Sequence, residues 1–351
     1  MKNVIKIGNR KIGAGQPTYI VAEFSANHHQ DLQTAIRLVR AAQKAGADAI
    51  KIQTYTADTI TLNCRNKYFQ INGGTLWDGR TLYDLYSEAY TPWEWHAPLQ
   101  KKAKDLGLDF FSSPFDPSAV DFLEKLKVRA YKVASFEIVD LPLIEKVART
   151  KKPIIFSTGM ATYKEIRDAV KTAQNAGATQ IALLKCTSAY PAPYEEMHLR
   201  TIENMRKKFN LPIGLSDHTL GIAIPVAAVA LGACIVEKHF VLDRKTKGPD
   251  SVFSLTPDEF STMVENIRKT EKALGKVQYG AEKHEKPSLA FRRSLFIAGP
   301  VRRGEKFSER NIRSVRPANG LAPKFLKQVL GKTAVKNLEK GTPLKWAHLK
   351  K

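Results

Sequence analysis

The sequence predicts an α/β chain, a (β/α)8 TIM barrel followed by a small, separate C-terminal domain. Three observations carry this. Eight short apolar runs alternate with helix-length amphipathic stretches over the first 280 of the 351 residues, the repeat that closes a parallel sheet into a barrel. The rival, an open doubly wound sheet, expects a glycine-rich turn after its first strand; no G-x-G-x-x-G follows the first run, and no Walker A sequence occurs. Near residue 280 the pattern stops. The polar stretch 281–289, with His284 and Pro287, reads as a linker. The expected domains are therefore a barrel over 1–280, a linker over 281–289 and a short strand-like module over 290–351.

The first strand is Tyr19-Ile20-Val21-Ala22-Glu23. Asp31, a good N-cap, then opens a helix in which Leu32, Ala35, Ile36, Leu38, Val39 and Ala42 recur at helical spacing, and Gly46 ends it. The second strand is 49–53; the others are 109–112, 130–133, 153–157, 181–185, 212–216 and 234–238, with helices such as 163–176 and 196–208 between them. Residues 55–104 are far more than a barrel loop needs. They contain Trp77-Asp78-Gly79 and Trp93-Glu94-Trp95-His96 and follow the C-terminal end of a strand, where a barrel builds a substrate lid. For Trp93 and Trp95 the alternative is plain packing of the helix that starts near Pro92.

Hydrophobic residues are 43% and charged residues 26%, a globular composition that excludes a disordered chain. Cys64, Cys186 and Cys234 form no C-x-x-C pair, which argues against a disulfide framework or zinc knuckle and for a reducing compartment. The longest apolar run, 222–236, is too short to span a bilayer and holds Pro225 and Gly232, and the N-terminus has no signal-peptide core. A cytoplasmic protein without a membrane partner is expected. The net charge is +22, unevenly spread: residues 290–351 hold sixteen Lys and Arg against three acids, a balance of +13 that leaves +9 for the rest. Such a tail suits nucleic acid, a membrane surface, an anionic small substrate or plain solvation. Its aromatics, Phe291, Phe296, Phe307, Phe325 and Trp346, are scattered, which argues against nucleic acid.

Alternate strand residues of a barrel point inward, and catalysis sits at the C-terminal strand ends. By this parity Ile50 and Ile52 face the helices, with Lys51 and Gln53 inside; Tyr131 and Val133 face out, with Lys132 inside. Glu23 ends the first strand and Glu137 follows the fourth. Two inward lysines need anions, supplied by Glu23 or Glu137 as structural ion pairs or by a bound phosphate or carboxylate. Hydroxyls recur at the same strand ends: Ser112-Ser113, Ser135, Ser157-Thr158, Thr187-Ser188 and Ser216. Singly these are turn or cap residues; together they form an oxyanion cradle. The last two strands end in Ser216-Asp217-His218-Thr219 and Glu237-Lys238-His239-Phe240. Two imidazoles at adjacent strand ends hold a divalent metal with open positions, or are satisfied core residues. Asn27-His28-His29 either joins them or merely precedes the first helix.

These segments, in this order, resemble the sialic acid (nonulosonic acid) synthase family over essentially the whole chain. The resemblance rests on Ala22-Glu23-Phe24-Ser25-Ala26-Asn27-His28, Lys51-Ile52-Gln53-Thr54, Ser112-Ser113-Pro114-Phe115, Tyr131-Lys132-Val133-Ala134-Ser135-Phe136-Glu137 and Ser157-Thr158-Gly159-Met160. It continues through Cys186-Thr187-Ser188-Ala189-Tyr190-Pro191, Gly214-Leu215-Ser216-Asp217-His218-Thr219, Glu237-Lys238-His239-Phe240 and Gly248-Pro249-Asp250. The last 62 residues, with Arg316-Pro317-Ala318-Asn319-Gly320, look like that family's antifreeze-like (SAF) domain. Phe24-Ser25 and Ser188 depart from the N-acetylneuraminate-forming pattern. The insertion, from Trp77 to Tyr86 and from Tyr90 to His96, is similar to the pseudaminate-forming branch, which uses a 6-deoxy diacetamido sugar.

The resemblance implies condensation of phosphoenolpyruvate with an N-acetylated sugar, with N-acetylneuraminate- or legionaminate-forming activity as the alternative. It implies Mn2+ or Mg2+, or Co2+, on His218 and His239. Lys51, Lys132, Ser113, Ser135, Ser157 and Ser216 would hold phosphoenolpyruvate, and Glu23 and Glu137, with Lys51, would serve the chemistry. Ser188, Tyr190 and Asp250 would also bind substrate. Arg316 would reach the sugar's acyl group from the partner in a domain-swapped homodimer.

Overall fold

The computed structural model describes residues 4–245 and 248–350. The chain divides into two compact units, Met1–Gly275 and Lys276–Lys351. The division falls at the glycine that ends the last barrel helix, and a 3-10 helix, Lys286–Phe291, overlaps the stretch read as a linker.

The first unit opens with an antiparallel hairpin, β1 (Val4–Ile7) and β2 (Arg10–Gly13). Eight parallel strands follow: β3 (Tyr19–Glu23), β4 (Ala49–Thr54), β5 (Asp109–Pro114), β6 (Tyr131–Val133), β7 (Ile154–Ser157), β8 (Ile181–Cys186), β9 (Ile213–Asp217) and β10 (Ile235–His239). They pair in chain order, and β10 closes on β3, which makes a sealed barrel. The helices are α1 (Leu32–Lys44), α2 (Ala57–Ile60), α3 (Leu82–Ala89), α4 (His96–Asp105), α5 (Pro117–Lys125), α6 (Leu141–Arg149), α7 (Tyr163–Asn175), α8 (Arg200–Phe209), α9 (Ala223–Ala230) and α10 (Pro257–Leu274).

Local chemistry sets most helix ends. Asp31 accepts hydrogen bonds from the Gln33 and Thr34 amides at the start of α1, and Asp116 and Asp140 cap α5 and α6 in the same way, each ahead of an early proline. Thr162 with Glu165 and Thr256 with Glu259 form capping boxes on α7 and α10. α8 starts at Arg200, later than the pattern suggests, because Tyr194–Glu196 is a separate 3-10 turn.

Strand parity sorts the core into two clusters. Ile50, Ile52, Tyr131, Val133 and Phe156 face outward and pack under the helices with Leu38, Val39, Ile144 and Phe260. Tyr19, Val21, Ala49, Phe111, Ala130, Ile155, Leu184 and Ile235 fill the barrel interior, and Ile5, Ile7 and Ile12 of the hairpin join that cluster. The interior is packed to backbone contact: a Cβ on Gly214 would lie 2.5 Å from the Ile235 carbonyl oxygen. Beneath it Asp109, 2% exposed, accepts from the Tyr19 hydroxyl at 3.0 Å and pairs with Arg129 at 3.0 Å and Arg10 at 3.4 Å. The apolar layers thus lie between Asp109 below and the inward polar side chains Lys51, Lys132 and Glu237 above.

The second unit holds a short hairpin, β11 (Ser294–Ile297) with β12 (Ile312–Val315), and a one-turn helix, α11 (Leu326–Val329). Its own core is built from Leu295, Ile297, Val301, Phe307, Ile312, Val329 and Leu344. No helix among the described residues is long and apolar enough to cross a membrane.

Candidate active site

Lys51 and Lys132 both point into the upper barrel, at 4% and 1% exposure, but they meet different company. The Lys51 ammonium sits between two carboxylates, 2.9 Å from Glu23 and 2.8 Å from Glu237. Burial works against its charge, yet the two carboxylates outweigh burial and raise its pKa above the ordinary lysine value. Register explains the first contact, since Glu23 lies directly opposite Lys51 in the β3–β4 pair. Lys132 has no carboxylate within ion-pair distance among the described residues. Its Nζ donates to Ser157 Oγ at 2.6 Å and to the Val133 carbonyl at 3.2 Å, and burial lowers its pKa to about 8. The structural ion pair is therefore the answer for Lys51, with Glu23 and not Glu137. Lys132 keeps a buried charge to offer to an anion.

Other hydroxyls stand at the ends of neighbouring strands. Ser135 Oγ accepts from the Gly159 amide at 3.2 Å, and Ser216 Oγ donates to Glu237 at 3.3 Å. Ser113 Oγ is buried without a hydrogen-bond partner among the described residues. Its neighbour Ser112 has opposite parity: it donates to the Ile52 carbonyl at 2.9 Å and meets Thr54, which also bonds His96, in a closed network outside the barrel. Glu137, on the 3-10 turn after β6, carries a buried carboxylate oxygen with no partner among the described residues; burial raises its pKa to about 7.

His218 and His239, at the ends of β9 and β10, lie with ring centroids 5.3 Å apart. His218 Nδ1 donates to the Thr187 carbonyl at 2.9 Å, which fixes the tautomer and leaves the Nε2 lone pair free. His239 Nδ1 is buried without a hydrogen bond among the described residues; the Asp250 carboxylate is 3.4 Å away. Burial holds His239 well below the usual histidine pKa, and so neutral, and raises Asp250 to about 7, with Glu23 adding to the rise. No group of three His, Cys, Asp or Glu able to hold a metal occurs among the described residues. Against the effect of burial, the Cys186 thiol and the Thr187 carbonyl raise the His218 pKa above the usual histidine value. Two imidazoles, each with an unengaged nitrogen, fit a divalent ion whose other positions stay open, the donor pattern of a catalytic metal rather than a structural one. His28 does not join them: it bonds Thr91 at 3.2 Å, accepts from the Gln30 amide and lies edge-on to Trp95. Asn27 likewise ties the Phe240 carbonyl to Ser254.

Tyr190 stacks at 4.4 Å from His218, and Ser188 Oγ is 4.0 Å from Cys186 Sγ. The insertion after β4 divides in two. Trp93 donates to the Tyr55 carbonyl and packs on Phe122, and Trp95 packs against the outer core, so these two serve packing. Trp77 instead reaches the mouth, donating to the Pro249 carbonyl at 3.2 Å and lying 5.5 Å from Tyr190. Arg316 belongs to the second unit, just after β12.

Three participants were not singled out from sequence. Glu237 was legible, since it shares the inward parity of His239 two residues on. Lys185, whose Nζ donates to the Cys186 carbonyl at 2.7 Å and to Thr187 Oγ1 at 3.1 Å, lies on the outward parity and gives no such signal. Trp77 was visible as part of the insertion but not as a site residue.

A closed eight-stranded barrel with lysines, hydroxyls, carboxylates and an imidazole pair at its C-terminal rim belongs to the class of (β/α)8 proteins with a site at that end. The chain belongs to the NeuB family: that family's profile matches residues 38–279, and the SAF domain profile matches 292–350. It is 46% identical to pseudaminic acid synthase of Campylobacter jejuni over 97% of this chain and 98% of that protein. It is 47% identical to pseudaminic acid synthase of Helicobacter pylori, over 94% and 97%. Among solved structures, N-acetylneuraminic acid synthetase of Leptospira borgpetersenii superposes with a TM-score of 0.72 at 32% identity, over 82% of this chain and 96% of that one.

Proposed function

We propose that this chain is a pseudaminic acid synthase. It joins phosphoenolpyruvate, 2,4-diacetamido-2,4,6-trideoxy-L-altrose and water to give pseudaminic acid and inorganic phosphate. The observation that carries the chemistry is Lys132: a buried cation with no carboxylate at ion-pair distance among the described residues, bonded to the Ser157 hydroxyl, in the same barrel as an imidazole pair. The near-full-length identity to two pseudaminic acid synthases supports the choice of sugar.

In this reading Lys132, Ser113, Ser135, Ser157 and Ser216 hold the phosphate and carboxylate of phosphoenolpyruvate. Its C3 bonds to the sugar's aldehyde carbon while the aldehyde oxygen takes a proton. Water oxygen then bonds to C2, the C2–O bond to phosphorus breaks, phosphate leaves, and C2 becomes a ketone. His218 and His239 would hold Mn2+, Mg2+ or Co2+, which when bound polarises the aldehyde. Glu137, with a pKa pushed up to about 7, suits proton transfer near neutrality. Glu23, fixed by Lys51 and the Ser25 amide, contacts a sugar hydroxyl or shares in that transfer. Lys51 serves by helping to hold Glu237 ionised and by fixing both carboxylates in place. Asp250, Ser188 and Tyr190 face the sugar.

The apolar side chains Phe136, Met160 and Leu220 on the loops after β6, β7 and β9 are 58%, 62% and 47% exposed. They support a homodimer in which a second copy covers this rim and supplies Arg316 to the sugar's acyl group. The free cysteines suit a cytoplasmic enzyme.

Incubation with phosphoenolpyruvate, Mn2+ and candidate sugars tests the reaction. Phosphate release and a product of pseudaminic acid mass are expected with the diacetamido altrose; release only with N-acetylmannosamine or the legionaminate precursor reassigns the sugar. For the metal, Mn2+ titration followed by electron paramagnetic resonance should show binding that His218→Ala with His239→Ala abolishes. Unchanged binding removes the assignment.

A further inference from the structure

Trp77 is held in place by an unusually well-tied loop. The Asp78 carboxylate accepts from the amides of Gly73 at 3.2 Å, Gly74 at 2.8 Å and Thr75 at 2.9 Å, and from Thr75 Oγ1 at 2.8 Å. The indole N–H is already engaged by the Pro249 carbonyl at 3.2 Å, next to Asp250. From there aromatic contacts run without a break to the imidazole pair. Trp77 is 5.5 Å from Tyr190, Tyr190 is 5.2 Å from Phe253 and 4.4 Å from His218, and Phe253 is 5.0 Å from His239. A sugar bound at the imidazoles therefore meets, on this side, a run of rings whose outermost member, the Trp77 indole, has its one polar atom already engaged.

We propose that Trp77 is a specificity-determining residue that packs against the C6 methyl of a 6-deoxy sugar and selects it over the 6-hydroxy counterpart. This rests on the reaction proposed above. A methyl gains from burial against the indole, whereas a hydroxyl packed on the indole gives up its water and finds no partner in that ring. Apolar pockets that distinguish such small groups do so by roughly 10- to 200-fold, which sets the effect to look for.

The test measures kcat/KM at saturating phosphoenolpyruvate for the 6-deoxy diacetamido sugar and its 6-hydroxy counterpart, in wild type, Trp77→Phe and Trp77→Ala. Wild type is expected to prefer the deoxy sugar by at least about tenfold. Trp77→Ala should lose most of that preference through the deoxy sugar alone, with KM for phosphoenolpyruvate and the melting temperature unchanged; Trp77→Phe should keep most of it. An unchanged preference in Trp77→Ala, or an equal loss on both sugars, overturns the assignment. A loss that instead follows replacement of N-acetyl by N-formyl moves the contact to the acetamido group and overturns the C6 reading. Wild type that turns over no 6-deoxy sugar overturns the proposed reaction itself, whereas normal wild-type turnover with an indifferent Trp77→Ala overturns this inference only.

Discussion

At the scale of single residues, the two barrel lysines show how environment divides labour between identical side chains. Lys51 is neutralised by Glu23 and Glu237, so its removal would leave two buried carboxylates facing one another. Lys132 has only Ser157 and a carbonyl. Lys132→Met should therefore raise KM for phosphoenolpyruvate by about 10- to 100-fold, the worth of a charge-assisted hydrogen bond, and leave the sugar KM nearly unchanged. The opposite pattern would reassign the residue. The pH dependence has a definite sign. Burial, helped by the nearby Lys51 charge, lowers Lys132 to about 8 against the opposing effect of Glu237, Glu23 and the Cys186 thiol. The ammonium is thus present below pH 8 and lost above it, and kcat/KM for phosphoenolpyruvate should fall on the alkaline side with a midpoint near 8. Lys132→Arg should move that limb upward, because guanidinium stays charged; an unmoved limb points to another group.

Among the elements, the loops after the strands decide whether the hydroxyls converge. Gly159, after β7, is where Ser135 and Ser188 come closest to the backbone. A Cβ there would lie 2.8 Å from Ser135 Oγ and well inside contact distance of Ser188 Oγ. Gly159→Ala is expected to cut kcat/KM at least about tenfold while changing unfolding free energy by only about 1 kcal/mol, since the clash falls on mobile hydroxyl ends. Urea denaturation alongside steady-state kinetics would check this, and full activity would show that those hydroxyls need not hold their places. Within β9, Gly214 has no such freedom: Gly214→Val must push into the Ile235 backbone and Leu184. A loss of about 1–3 kcal/mol in the same denaturation experiment is expected.

For the molecule as a whole, the two units have separate cores, and the barrel is closed by its own strands. A chain ending at residue 280 should fold, unfold cooperatively by circular dichroism, and turn over poorly if Arg316 completes the site. Full activity would exclude the second unit from catalysis. Charge sets a further expectation. The second unit carries most of the excess charge, and no ion pair joins its described residues, so its field is unquenched at short range. The rate at low phosphoenolpyruvate should fall as salt rises from 0.05 to 0.5 M, as the screening length shortens from above to below about 10 Å; a flat response would reduce the basic balance to solubility alone.

The barrel was legible from the residues alone, because alternating inward and outward side chains are a property of the strand and survive any placement of that strand. Parity also puts Lys51, Lys132, His218 and His239 on the inward side of their strands, with the two imidazoles at the C-terminal ends. Only the tertiary structure decided what each of them meets. Glu237 reaches Lys51 because β10 closes on β3, a contact between residues 186 apart in the chain. The hairpin at the N-terminus went unread as well, though Ile5, Ile7 and Ile12 alternate around Gly8-Asn9, because so short a pattern acquires its meaning only from the barrel interior it joins. Trp77 and Trp93 are alike in composition and neighbourhood; which covers the mouth and which packs a helix depends on where the chain turns in three dimensions.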